Sequence, residues 1–507
     1  MSTSETDYKV DHLFLLVGEN PLPNYIAAKM LLEEGGTVYL VHSTDTTSKA
    51  DCLKRKLKPV NVERISLGKS EADSSVIRDK IQKQVEKILE KHPNATFGLN
   101  YTGGTKAMSV HSYRALFEAS GVDDAKFSYL DARSLQMLID RENDPPKREP
   151  VNEKLSLEEI FDLHDLRWES DKKPVPDPIL PELAIEFAKL HTDPSLVIAW
   201  RWWCDNVLKP ATKILKKKQN KPPEWEWKKD SQIDKVILKP ELAAQKLNDA
   251  LQEYLKQSED GKSLLEAFQK ENFKQLKELI NLYDALWIPE YTPQIEKVSK
   301  LLIQDKYLGE SEIELSLNQF AEKSKEIAEK SKQPDGRAKP YLEKSKDACR
   351  WLDGLWLEHY TLHQIHELSK KFTGLINDNN NKNDETLFKG MSFKVKDAKK
   401  EKFEFDVAFV KDYQLFALSC TTDASKGLCK SKLFEVYIRA RQLGGEQARV
   451  ALVCCYDKPK DLADEMKVDT EVDKKDPKIA VFGCKELDNL HVHIKNWIEE
   501  INRYYAP

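Results

Sequence analysis

Over the first 140 residues the apolar positions switch between two periods. Short apolar runs of strand length occur at HLFLLV (12–17), TVYLVHS (37–43), VERISL (62–67) and ATFGLNY (95–101). Between them, PNYIAAKMLLEEGG (23–36), KADCLKRKL (49–57), SSVIRDKIQKQVEKILEKH (74–92) and the stretch from Thr105 to about Ala119 carry helical periodicity. KFSYLDA (126–132) and LQMLID (135–140) read as a closing hairpin. Repeated strand–helix units imply right-handed crossovers, and therefore a mainly parallel, Rossmann-like sheet.

After Asn143 the pattern changes. DPPKREPVNEK and DKKPVPDPILPE are charged and proline-rich, as a linker would be. From about 180 to 345 the periodicity is helical with almost no strand signal, and 323–340 reads as an exposed connection. Residues 341–372 predict a helix broken near Gly354, followed by the polar loop NDNNNKND. Strands FKGMSFKVK, FEFDVAFV and YQLFALSC follow, then a helix from about Lys430 to Leu443 and the strand RVALVCCY. The fold class is therefore α/β at both ends with an α-helical insertion between. The domains are 1–145, 146–340 and 341–507, without internal repeats.

Composition narrows this little. A chain of 507 residues exceeds one ordinary core, and 40% apolar residues, 33% charged residues and a net charge of −5 describe a water-soluble globular protein. No run of eighteen apolar residues exists, and MSTSETDYKVDH lacks a basic stretch followed by an apolar one, so neither a membrane span nor a signal peptide is expected. The eight cysteines show no CxxC spacing, which points to buried thiols in a reducing cytoplasm.

Open parallel sheets bind ligands at the carboxyl ends of their strands. Three loops stand at such ends: Gly18-Glu19-Asn20-Pro21-Leu22-Pro23-Asn24, His42-Ser43-Thr44-Asp45-Thr46 and Tyr101-Thr102-Gly103-Gly104-Thr105-Lys106. Glycines, a lysine and a helix N-terminus together make an anion site. A dinucleotide GxGxxG is absent from the first βα turn, and GGTK lacks the leading glycine and arch of GxxxxGK[ST]. A lone glycine pair is also what a tight, threonine-capped strand-to-helix turn uses. The three loops together favour a phosphate ligand.

GENPLPN, HSTDT and NYTGGTKAM together resemble the CARF domain of CRISPR-associated ancillary effectors, specifically the Card/Can branch. That resemblance implies a homodimeric sensor of a cyclic oligoadenylate made by type III CRISPR complexes, each subunit offering the same loops to half of the ring. By motif position it assigns ligand contacts to Gly18, Glu19, Asn20, Pro21, Ser43, Thr44, Asp45, Asn100, Thr102, Gly103, Gly104, Thr105 and Lys106. Lys106 would face phosphate.

In the last 160 residues, Glu404-Phe405-Asp406 sits in a strand, Ser419-Cys420-Thr421 on the next, and Glu358 on the preceding helix in WLEHY. Phosphodiester hydrolysis uses acidic side chains on one or two divalent ions, often with a lysine near the attacking water. This order resembles the PD-(D/E)XK nucleases and the C-terminal nuclease of the Card/Can effectors. KLFEVYIRARQLGGEQARVALV (432–453) matches the helix and turn that follow there. The departure is Ser419-Cys420-Thr421, where the family pattern has Glu-x-Lys. Either the site is dead, or its groups have migrated. In the migrated form, which we favour, Glu358, Asp406 and Glu435 hold Mn²⁺ or Mg²⁺, and Lys426, Lys430 or Lys432 replaces the strand lysine.

His359, His363 and His366 share one helix face, a spacing open to zinc but more often seen in packing. The WRWW and EWEW tryptophans with KILKKKQNK could bind nucleic acid; a helical core with a solvated lysine face is the preferred reading.

The expectation is a cytoplasmic antiviral effector, a metal-dependent DNA or RNA nuclease allosterically activated by cyclic oligoadenylate, with cyclic tetra-adenylate implied by resemblance. Its partners are the messenger and a nucleic-acid substrate, with no membrane. The alternatives are a catalytically inactive sensor acting through binding, and a ring nuclease that degrades the activator in the CARF pocket.

Overall fold

The computed structural model describes residues 8–506 except 123, 142–143, 170–172, 217–223, 230–232, 234, 238–291, 305–313, 331–338, 378–385, 397–401 and 446–447. Residues 217–223 of the lysine-rich segment, and all of the NDNNNKND loop except Asn377, lie outside the described residues.

Four parallel strands, β1 (Val10–Leu16), β2 (Leu32–Ser43), β3 (Asn61–Gly68) and β4 (Phe97–Asn100), alternate with helices α1 (Leu22–Leu31), α2 (Thr47–Lys56), α3 (Ser74–Leu89) and α4 (Lys106–Phe117). β5 (Lys126–Asp131) joins in parallel, and β6 (Gln136–Ile139) closes the expected hairpin antiparallel to it. The strand order is β3-β2-β1-β4-β5-β6 followed by β7 (Lys147–Pro150), so the crossovers reverse direction between β1 and β4. Leu13 and Leu15 face one side of the sheet while Phe14 and Leu16 face the other, and both sets are buried. Helices on both faces explain why these strands read as continuous apolar runs.

The expected linker is structured. β7 (Lys147–Pro150) completes the first sheet, α5 (Leu157–Leu163) starts from a Ser156/Glu159 capping box, and β8 (Arg167–Trp168) pairs with the second sheet. The middle block contains α6 (Pro181–Leu190) and α7 (Pro194–Trp203), which continues through a π turn at Cys204–Leu208. It also holds two small antiparallel pairs, contrary to the all-helical expectation. These are β9 (Lys213–Lys216) with β10 (Glu224–Trp227), and β11 (Lys235–Ile237) with β12 (Glu314–Ser316). Two further helices are α8 (Thr292–Gln304) and α9 (Leu317–Lys330). α9 replaces the first part of the expected exposed connection. Its buried stripe, Leu317, Phe320, Ala321, Ser324 and Ala328, is too rich in small residues to stand out as apolar.

In the last third, α10 (Ser345–Arg350) runs through a π turn at Trp351–Leu355 into α11 (Trp356–Lys371), with the predicted break at Gly354. Strands β13 (Lys389–Lys396), β14 (Lys402–Lys411) and β15 (Gln414–Thr421) are antiparallel neighbours. α12 (Lys426–Gly444) then crosses to β16 (Arg449–Cys454), parallel to β15. α13 (Pro459–Asp469), β17 (Ile479–Phe482) and α14 (Leu490–Tyr504) complete the order β17-β16-β15-β14-β13-β8. Trp200, Trp203, Trp351 and Trp356 are buried in one core between the middle block and this sheet. That placement bears out the packing reading of WRWW. A second core runs unbroken from β1, α1 and α2 through α5 into β14, β15 and α12.

Candidate nuclease site and ligand loops

In the first sheet β1 lies between β2 and β4, and all three point the same way. The loops that leave them therefore converge on one edge, at the point where the strand order reverses. Two of these loops touch through glycine. A Cβ on Gly18 would lie 3.1 Å from the Gly104 nitrogen, and one on Gly103 would lie 2.2 Å from the Leu16 carbonyl oxygen. Gly104 has φ +74°, a left-handed backbone that glycine adopts without strain. The glycine pair is thus a packed, threonine-capped turn, and it also opens backbone to the edge of the sheet.

The loop side chains divide by direction. Glu19, Thr44, Asp45, Gly104, Thr105 and Lys106 are exposed, while Gly18, Asn20, Thr102 and Gly103 are half-buried. Pro21, Ser43 and Asn100 are buried and brace the loops from behind. Asn100 Nδ2 donates to Ser128 Oγ at 3.1 Å, and its Oδ1 accepts from the Thr102 nitrogen at 3.3 Å. Thr102 Oγ1 accepts from the Leu130 nitrogen at 2.7 Å, and the Ser43 nitrogen donates to Thr46 Oγ1 at 3.1 Å. Thr105 caps α4 by accepting from the Met108 nitrogen at 3.2 Å, which leaves Lys106 at the first helical position. Asn24, which ends the first loop but is not among the ligand contacts the resemblance assigns, is fully buried. Its Nδ2 donates to the Leu16 oxygen at 2.9 Å, and its Oδ1 has no hydrogen-bond partner among the described residues. Its position directly after PLP is the one available sign of a role.

The second site is a sheet–helix junction. Asp406, in the middle of β14, is flanked by Ser419 on β15 and Ser392 on β13. Asp406 Oδ2 accepts from Ser419 Oγ at 2.7 Å and from the Cys420 nitrogen at 2.8 Å. Glu358 descends from the first turn of α11, and its Oε2 accepts from Ser392 Oγ. Burial raises both carboxyls. The negative charge of Asp406 raises Glu358 further, well above the usual carboxylate range, and Glu404 adds to both. Lys432 is the cation that acts on both in the opposite sense.

These contacts recast the anomalous Ser419-Cys420-Thr421. Ser419 has become the clamp on Asp406. Cys420 points to the other face of β15, where its buried thiol donates to Thr361 Oγ1 at 3.6 Å. Thr421 Oγ1 accepts from the Asp423 nitrogen at 3.2 Å and turns the chain toward α12.

The structure does not bring all of the expected groups together. Glu435 is exposed on α12 and is not among the main charges acting on Glu358 or Asp406. No three His, Cys, Asp or Glu side chains meet as a metal-ligand group among the described residues, so the Glu358–Asp406–Glu435 set is not assembled. The third carboxylate near the pair is Glu404, two residues from Asp406 on the same strand face. It is half-exposed and 3.2 Å from Lys394. Lys430 does not reach the site either: it pairs with Glu465 at 2.6 Å and Asp469 at 2.7 Å on α13, and Lys426 with Glu465 at 2.5 Å. Of these lysines, Lys432 is the one whose charge acts on both carboxylates.

The pair nonetheless fits a hard divalent cation. Among the described residues neither carboxylate has a cation at ion-pair distance, and their hydrogen bonds leave Glu358 Oε1 and Asp406 Oδ1 unused. Mg²⁺ is commonly held by one or two carboxylates, with water completing its shell. The histidine stripe packs instead: His359 Nδ1 accepts from the Ile179 nitrogen at 2.9 Å, and burial holds His359 and His366 down at about 3.

A Rossmann-like sheet with convergent glycine-rich loops, joined to a restriction-endonuclease-like sheet with paired carboxylates, defines a ligand-sensing nuclease architecture. Residues 13–160 match the Card1 CARF domain and residues 345–501 match the Card1-like endonuclease domain. Together they span more than half of the chain, which belongs to the CARF-domain CRISPR ancillary nucleases of the Card/Can type. Among solved structures, protein VC1899 from Vibrio cholerae superposes with a TM-score of 0.59 at 13% identity, covering 97% of this chain and 98% of that one. Can2 from Sulfobacillus thermosulfidooxidans, in complex with cyclic tetra-adenylate, gives 0.57 at 13% identity, covering 96% and 99%. These likenesses extend through the middle block and concern the fold. No curated protein matches the chain.

Proposed function

We propose that this protein is a cytoplasmic CRISPR type III effector whose CARF loops bind cyclic oligoadenylate, as cyclic tetra-adenylate is bound in Can2, and whose C-terminal domain then cleaves DNA or RNA as a homodimer. The observation that carries the proposal is the Glu358–Asp406 pair, clamped by Ser392, Ser419 and the Cys420 nitrogen beside Lys432. Holding two like charges together in a half-buried site disfavours ionisation unless a cation joins them. Glu358 and Asp406 would hold Mg²⁺ or Mn²⁺, which when bound supplies charge neutralisation to a scissile phosphodiester. The serine clamps keep both carboxylates aimed, and Lys432 is placed to steady charge developing on the phosphate. Eight free, buried cysteines suit a reducing compartment, and among the described residues no helix is long and apolar enough to cross a membrane.

The test incubates plasmid, single-stranded DNA and single-stranded RNA with the protein, with and without cyclic tetra-adenylate and Mn²⁺, and repeats this with Asp406→Ala. Cleavage that requires both additions and disappears in the variant is the expected result. Activator binding without cleavage of any substrate would instead make the protein a sensor that acts by binding. Loss of the intact ring, followed by chromatography, would make the CARF pocket itself a ring nuclease.

A further inference from the structure

We infer that α12 is the lever connecting the ligand loops to the carboxylate pair, with its fulcrum at the ion pairs to α13; this rests on the reading of the two sites given above. One end of α12 lies against the CARF loops. The helix terminates at Gly445, where φ is +63° and a Cβ would come within 3.2 Å of Asn20 Nδ2 in the first ligand loop. Two residues earlier, the backbone of buried Leu443 lies beside the ring of His164, the residue that caps α5. α5 is fastened to α2, the helix that issues from the second ligand loop. Cys52 Sγ donates to the Asp162 oxygen at 3.0 Å, Arg55 meets Asp165 at 2.9 Å, and Lys56 pairs with Asp162. The third loop reaches the same point through Gly104 and Gly18, which leave no room for a side chain between them. All three loops therefore lead to the last turn of one helix.

The other half of α12 carries Lys432, beside Glu358 and Asp406. From Lys432 to Gly445 the helix rises about 20 Å, so a single rigid element runs from the carboxylate pair to the first ligand loop. Its inner stripe, Cys429, Leu433, Val436, Tyr437, Ala440 and Leu443, is buried in the core that also contains Val10, Leu22, Ala50 and Leu53 of the first domain. A helix packed along its whole length moves as a body, because a close-packed core has few intermediate arrangements. Lys426 and Lys430 tie its N-terminal end to Glu465 and Asp469, so a push at Gly445 is converted into tilt about that tie. Tilt changes how Lys432 meets the carboxylates. The ring can drive this only to the extent that it binds one tilt better than the other.

Gly445→Ala tests the joint, since the added methyl meets both an unfavourable backbone and Asn20. The expected result is ring affinity within about threefold of wild type and ring-stimulated cleavage at least tenfold lower, with the fold checked by thermal unfolding. In the unaltered protein, cyclic tetra-adenylate should change amide hydrogen exchange in two separate stretches of α12, residues 428–433 and 440–445. This second measurement does not depend on the variant folding. Unchanged stimulated cleavage in a folded Gly445→Ala, or α12 exchange indifferent to a ring that demonstrably binds and activates, overturns the lever alone. A wild-type protein that neither binds the ring nor cleaves overturns the reading beneath it, and the lever with it.

Discussion

Single residues decide both sites, in opposite ways. At Asp406 the chain concentrates hydrogen bonds on one carboxylate oxygen, so Asp406→Ala should reduce cleavage at least about 100-fold while the protein remains folded. The pair is costly without a cation, and this gives a prediction with a definite sign. Glu358 is raised above its ordinary value by burial and by Asp406, so between its unfolded and folded values the folded state binds the extra proton. Stability from this group is therefore present in acid and is lost as the pH rises toward neutrality. Glu358→Gln should melt higher than wild type at pH 7 in a chelator, by roughly the 2–4 °C that 1 kcal/mol gives in a domain of this size, and the gap should close toward pH 4. A variant that melts lower at pH 7 would sink the account of the pair. In the CARF loops the relevant quantity is space. Gly103→Ala would bring a methyl to 2.2 Å from the Leu16 oxygen, so the loop must move, and ring affinity should fall about tenfold or more in a calorimetric titration. Lys106→Ala should also weaken binding, by an amount that shrinks as salt is raised, because an exposed lysine acts on phosphate through solvent. Unchanged affinity in Lys106→Ala would misplace the pocket.

At the scale of elements, α12 shows what a sequence can and cannot reveal. Its buried stripe is centred near Leu433 and Ala440, and residues two apart on a helix point about 200° from one another. Lys430 and Lys432 therefore flank the stripe on opposite sides, one toward α13 and the other toward β14, while Glu435 points farther outward to solvent. The sequence predicts a helix from about Lys430 to Leu443 and nominates Lys426, Lys430 and Lys432. Choosing between them required knowing which side of the stripe faces Asp406, and that is set by packing against β15. Lys432→Ala should accordingly lower the cleavage rate at saturating activator at least about tenfold with little change in melting, whereas Lys430→Ala should leave the rate without activator within about twofold, weaken its stimulation by the ring because the tie to α13 is loosened, and lower the melting temperature slightly. The reverse assignment of effects would return Lys430 to the site. The same distinction separates what was legible elsewhere. The four parallel strands of the first sheet, the break at Gly354 and the strands of the second sheet carry their own apolar periods and glycine signals. β7, with the sequence KREP, and the two-residue β8 carry none, since they are strands only because a neighbouring edge pairs with them. Ser419 could not be read as a clamp either, because its partner lies thirteen residues away on the adjacent strand.

For the whole molecule, the proposed function requires the loops to form one half of a two-fold site. The exposed groups Glu19, Thr44, Asp45, Thr105 and Lys106 gather on a single edge, and α4 leads away from that edge with Val110 and Phe117 each more than half exposed. Apolar side chains at positions 110 and 117, two turns apart, lie along one helix face, and Tyr129 on nearby β5 is also exposed. A second copy placed by a two-fold axis through the ligand edge would cover this face with the same face of its partner, since a two-fold contact is self-complementary. It would also close the ring between two identical sets of loops. The expected solution mass is therefore twice that of one chain, and calorimetric titration should give about one ring for every two chains. Val110→Asp with Phe117→Asp places charge in that face without touching the loops. The double variant should shift toward the single-chain mass by light scattering and lose ring affinity in proportion, because half a site holds half of the phosphates. Were it to remain fully dimeric, or to bind one ring per chain with undiminished affinity, the ring would not be shared in this way, and the lever in α12 would have to act within each subunit separately.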